Sequence, residues 1–64
     1  MYLVRLGREF ILPTNTLIEG MAIAVDAFKH DWEVDVINST TGEVMLSLRD
    51  GEMPYFSTSI HEVV

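Results

Sequence analysis

Apolar residues recur at steps of three and four from Thr16 to His30, and over no other stretch of this length. Leu17, Met21, Ala24, Val25 and Phe28 fall on one stripe of a helix, with Ile18 and Ala22 widening its edge. A stripe this wide suits packing on a sheet rather than a coiled-coil seam. Thr16 is the expected N-cap, with Glu19 three residues later at the capping-box spacing, and Asn15 and Thr14 are rival caps. Gly20 weakens a helix interior by roughly 1 kcal/mol relative to Ala. Its place beside the stripe points to close approach of a neighbouring strand. Lys29 and His30 suit the negative end of the helix dipole.

The rest of the chain alternates with period two. Tyr2, Val4, Leu6, Phe10 and Leu12 share one parity, which Arg8 interrupts just after Gly7. A glycine bulge in one bent strand over 1–12 is the preferred reading, and a hairpin turning at Gly7-Arg8 is the alternative. Pro13-Thr14-Asn15 ends that strand. Trp32, Val34 and Val36 then alternate with Glu33, Asp35 and Ile37. After the turn-rich Asn38–Gly42, Val44, Leu46 and Leu48 alternate with Glu43, Met45, Ser47 and Arg49, which makes a hairpin with the strand before. Asp50-Gly51 marks another reversal, and Tyr55 to Val64 reads as an edge strand with a frayed end. The expected fold is a small α+β domain of order βαβββ. One helix packs on one face of a mostly antiparallel four-stranded sheet.

At 64 residues the chain forms one domain, 1–64, and carries no cysteine to staple it. A chain this short buries only about 60% of the surface that its unfolded form exposes, so oligomerisation is one route to a fuller core. Ten acidic residues against four basic ones give a formal net charge of −6. That balance disfavours binding to a phosphate backbone or to an anionic membrane, and favours a basic partner. With no signal-like segment and no apolar run of ~20 residues, the expected location is the cytoplasm.

One helix covers one sheet face. The other face should carry Glu33, Asp35, Ile37, Glu43, Met45, Ser47 and Arg49, joined by Leu3, Arg5, Glu9 and Ile11. Arg5 and Arg49 are placed to neutralise acids opposite them. Glu19, Ile23, Asp26 and His30 fall on the outer ridge of the helix, where Ile23 is an apolar residue among polar ones. The candidate partner-binding residues are therefore Glu19, Ile23, Asp26, His30, Glu33, Asp35, Ile37, Glu43 and Met45.

Chemistry is weakly signalled. The glycines are isolated, so no phosphate loop is present. Asp26 and His30, four apart, make half of a metal site that His61 and Glu62 would have to complete, and a surface pair is the simpler reading. Ser57, Ser59 and His61 hold the ingredients of a nucleophile system without an elbow to present them. No metal, cofactor or catalysis is expected. The expected function is a small acidic protein-binding module that inhibits or regulates a larger protein by occluding a basic surface, such as that of a nucleic-acid-binding protein. It makes no direct contact with nucleic acid or membrane. The alternative is a homo-oligomeric structural or accessory domain, joined through its open sheet face or an edge strand.

Overall fold

The computed structural model describes residues 1–60. The chain reverses at Gly7, so the N-terminal stretch is a hairpin of β1 (Tyr2–Leu6) and β2 (Phe10–Thr14), not one bent strand. Gly7 adopts φ +60°, a left-handed conformation that suits glycine, and its N–H donates to the Glu33 carbonyl at 2.8 Å. The three-residue loop pairs Leu6 with Phe10, Val4 with Leu12 and Tyr2 with Thr14. Even positions thus stay on one face through the turn, and the parity expected from the sequence survives although the chain direction changes.

The helix α1 (Leu17–Lys29) follows, then β3 (Val34–Asn38), β4 (Val44–Leu48) and a two-residue β5 (Tyr55–Phe56). Among the described residues the sheet has five strands in the order β2-β1-β3-β4-β5, and every neighbouring pair is antiparallel. The expectation of a small α+β domain with one helix on a mostly antiparallel sheet stands; the strand count rises from four to five. Because β2 reverses the chain before the helix, β1 and β3 are antiparallel neighbours and need no right-handed crossover.

The core lies between the helix and one sheet face. Tyr2, Val4, Val34, Val36, Leu46 and Leu48 from the sheet meet Leu17 and Ala24 from the helix. The Thr16 hydroxyl accepts the Glu19 N–H at 3.2 Å and also lies 3.2 Å from the Glu19 carboxylate. At the other end the N–H groups of Asp31 and Trp32 return to the carbonyls of Phe28 (3.1 Å) and Ala27 (3.2 Å). That is the Schellman pattern, with Asp31 at φ +67° in the position that glycine usually fills.

Two strand details depart from the alternation. Ile37 pairs with Val44 while Val36 pairs with Leu46, so Met45 is the extra residue of a bulge. It joins the buried cluster instead of the open face. The last strand stops at Phe56. There the Ser57 hydroxyl accepts the Ser59 N–H at 3.1 Å and the Ser57 carbonyl accepts the Ile60 N–H at 3.2 Å, a local turn that competes with the ladder. The expected continuation from His61 to Val64 lies outside the described residues. Among the described residues no helix is long and apolar enough to cross a membrane.

Candidate functional site

Gly20 sets which side of the helix meets the sheet. A Cβ there would lie 3.2 Å from both Thr14 Oγ1 and Val36 Cγ1, so the helix backbone itself rests on the strands. The buried positions are Leu17, Gly20, Ala24 and Ala27. At 100° per residue this stripe is turned roughly 60° from the one read through Met21, Val25 and Phe28. Ile23 moves inward as a result. It is half-buried against the core and is not the apolar anchor of the outer ridge. In exchange Ile18 and Val25 stand 62% and 46% exposed.

The outer face of the helix therefore presents Ile18, Ala22 and Val25 at positions i, i+4 and i+7, all exposed. Glu19 and Asp26 follow Ile18 and Val25 directly and are exposed beside them, as is His30 at the helix end. Ile18 and Val25 were missed as surface residues because they are apolar. The available signal was Gly20, whose lack of a side chain marks the line of closest contact.

The open sheet face is organised around Asp35. By register, Ile11, Arg5, Asp35, Ser47 and Tyr55 form one row across all five strands. Asp35 is only 3% exposed. Its Oδ2 accepts from Arg5 Nη2 at 2.5 Å and Nε at 3.0 Å, and its Oδ1 accepts from the Ser47 hydroxyl at 2.7 Å. Arg49 Nη2 lies 3.2 Å from both oxygens, and Arg49 Nη1 donates to Glu33 at 3.0 Å. Burial pushes this carboxyl up, but hydrogen bonds from Arg5 and Ser47 and the charges of Arg49 and Arg5 outweigh it and hold the group below its ordinary value. A carboxylate so buried and so fully bonded has no lone pair to offer a partner, which removes Asp35 from the candidate interface.

Around this network lies a cavity of about 800 Å³ lined by Arg5, Arg8, Arg49, Trp32 and the acids Asp31, Glu33 and Asp35, with Gly7 at its wall. Arg8 makes no ion pair among the described residues. Three guanidinium groups face three carboxylates, so the cavity is formally neutral.

Glu43, Ser57 and Ser59 form a third group. Ser57, which is buried, donates its hydroxyl to Glu43 Oε2, and Ser59 Oγ approaches the same oxygen at 3.3 Å. The Ser57 N–H also extends the ladder to the Met45 carbonyl at 2.9 Å. The arrangement ties the end of β5 to the start of β4, and it engages Glu43, which is half-buried. His61, the third member of the nucleophile reading, lies outside the described residues.

Of the candidates read from sequence, Glu19, Asp26 and His30 are exposed on the helix side, and Glu33 is exposed but bridged to Arg49. Ile37 is half-buried on the open sheet face, and Met45 is inside the core because of the bulge. The structure does not bring these nine residues into one surface. No group of three or more potential metal ligands is found among the described residues. Compared with known proteins, the chain matches no family model, no curated protein and no solved structure.

Proposed function

We propose that this domain is a non-catalytic protein-binding module that docks through the outer face of α1 and regulates a larger protein by covering a basic surface on it. The observation that carries the reading is the exposed Ile18–Ala22–Val25 stripe flanked by Glu19 and Asp26. An amphipathic helix offering anchors at i, i+4 and i+7 is a recurring mode of groove recognition. The apolar side chains would supply most of the hold, and the carboxylates would speed and orient the encounter. A protein whose basic surface otherwise binds nucleic acid is one target of the right chemistry.

The test is a pull-down with the tagged chain, eluted in rising salt, repeated with Ile18→Glu and with Val25→Glu. Both positions are exposed, so both variants should keep their circular dichroism spectrum. The expected result is one dominant basic protein released by salt and absent from both variants. Retention of the same protein by both folded variants would remove the helix face as the interface.

A further inference from the structure

We propose that the outer edge of β2 is a self-association surface, where two copies of this chain pair antiparallel about a two-fold axis through Ile11. Two five-stranded sheets would then become one of ten strands.

Among the described residues nothing pairs with the outer edge of this strand. β2 stands at the end of the sheet, and Phe10, Ile11 and Leu12 are 51%, 60% and 42% exposed. No charge falls between Phe10 and Pro13, and the β1–β2 register runs through the strand without a shift. Charges, bulges and covering elements are the usual means of keeping an edge from pairing. The one obstacle is Pro13, and its placement selects a register instead of forbidding one. Pro13 sits opposite Leu3 within a ladder that continues to Thr14 opposite Tyr2. A proline has no N–H to give, so it is accommodated with its nitrogen facing away from β1. In an antiparallel strand the N–H and C=O of alternate residues face the same side. Ile11, two residues before, therefore turns its own N–H and C=O outward.

A two-fold axis through Ile11 lets the two Ile11 residues exchange both hydrogen bonds. It also sets Phe10 of each copy against Leu12 of the other on the helix side, and Ile11 against Ile11 on the open side. Aromatic–aliphatic cross-strand pairs of this kind are favourable. The Ile11 axis meets Pro13 only at the ends of the ladder, opposite Glu9 of the turn, whereas an axis at Leu12 would set Pro13 against Ile11 in the central hydrogen-bonded pairs and face Phe10 with Thr14. The Ile11 axis also places Glu9 against Pro13 and Arg8 against Thr14, so no like charges meet in spite of the net −6 on each chain.

Phe10 is already held in place. Its ring meets Trp32 edge-on with centroids 5.8 Å apart, and Trp32 in turn packs over Gly7. A fixed aromatic anchor loses little freedom on association. The exposed parts of Phe10, Ile11 and Leu12 come to roughly 300 Å² per copy, well under half of a standard interface. The dimer is accordingly one that forms and dissociates with concentration.

The experiment is sedimentation equilibrium of the full chain from low micromolar to near-millimolar concentration, with amide hydrogen exchange at both ends of the range. The mass should rise from 7.3 kDa toward twice that value. Exchange at the Ile11 amide should slow with concentration, while the amides of Phe10 and Leu12, already in the ladder to β1, should not change. Ile11→Lys should weaken association by about tenfold or more, whereas Tyr55→Lys on the opposite edge should leave it intact. A monomer at every concentration, a dimer sensitive to Tyr55→Lys but not to Ile11→Lys, or an Ile11 amide indifferent to concentration would each overturn the proposal. The exchange measurement uses the unaltered chain, so it decides the matter even where Ile11→Lys does not fold.

Discussion

Replacing Gly20 by alanine sets two effects of similar size against each other. In an exposed helix interior, Gly→Ala stabilises by about 1 kcal/mol. At Gly20 the new methyl would lie 3.2 Å from Thr14 Oγ1 and Val36 Cγ1, and 3.5 Å from Val4 Cγ2. None of these yields easily. The Thr14 hydroxyl is shared between the carbonyls of Tyr2 (3.4 Å) and Thr16 (3.1 Å). Val36 and Val4 are β-branched residues in adjacent strands, with no exposed surface. The helix must lift or a valine must leave its rotamer, and overpacking of this kind costs about 1–3 kcal/mol. Crowding wins, and Gly20→Ala should destabilise by about 1 kcal/mol net, a fall in Tm of about 4–8 °C for a domain of this size. The assay is urea unfolding followed by circular dichroism, with Ala22→Gly as calibration. Ala22 is exposed, so that change should lose about 1 kcal/mol through propensity alone. If Gly20→Ala gains about what Ala22→Gly loses, the helix does not rest on the sheet through Gly20. The rotation that exposes Ile18 and Val25 would then lose its cause.

Further outcomes follow from the polar groups. Asp35→Asn should destabilise by about 1–3 kcal/mol in urea unfolding, because Arg5 and Arg49 keep their charges beside a site that no longer balances them. The fold holds the Asp35 pKa below its ordinary value, so the stabilisation is complete above the unfolded value of about 3.9 and is lost as pH falls through the lower, folded value. An acid titration of stability should therefore drop in that window for the natural chain and be flatter for Asp35→Asn. Asp31→Gly should stabilise by about 0.5–1 kcal/mol, since it relieves a left-handed aspartate and removes a negative charge from the helix C-terminus. An unchanged Tm in Asp31→Gly would mean that neither effect operates there.

The elements were readable where a single physical cause dominated. The Thr16 cap, the helix span, the middle hairpin and the pairing of Arg5 and Arg49 with acids across the sheet all rest on local pattern. The extra strand was readable only as the alternative, because a three-residue loop between Leu6 and Phe10 keeps both residues on one face just as an unbroken strand would. Only the direction of the chain differs, and side-chain alternation carries no direction. The helix stripe was displaced for another reason. Periodicity weights large apolar side chains, whereas at Gly20 the missing side chain determines the contact. Met45 left the open face through a bulge opposite Ile37 that no turn residue announces. Asp35 was legible as a charge on the open face but not as a buried one, since burial there depends on Arg5 of β1 and on Ser47 and Arg49 at the end of β4 closing over it from both neighbouring strands.

The charge is distributed unevenly, and this separates the two proposed surfaces. Arg5, Arg8 and Arg49 face Asp31, Glu33 and Asp35 around the cavity and cancel, so the −6 is carried by the remaining acids against Lys29. Glu19 and Asp26 place part of it on the outer face of α1, where attraction to a basic partner is strongest at low salt. At the β2 edge the sign reverses, because two copies of −6 repel although no like charges meet between the paired strands. The Debye length falls from ~30 Å at 0.01 M to ~8 Å at 0.15 M ionic strength. Added salt should thus weaken capture of a basic partner and strengthen self-association. Both responses can be read on the same chain, by elution in one case and by sedimentation in the other. If salt moved the two equilibria in the same direction, the partner would not be recognised by its charge, or the chains would not meet at a neutral edge. Ile18→Glu and Ile11→Lys would then show which surface had been misread.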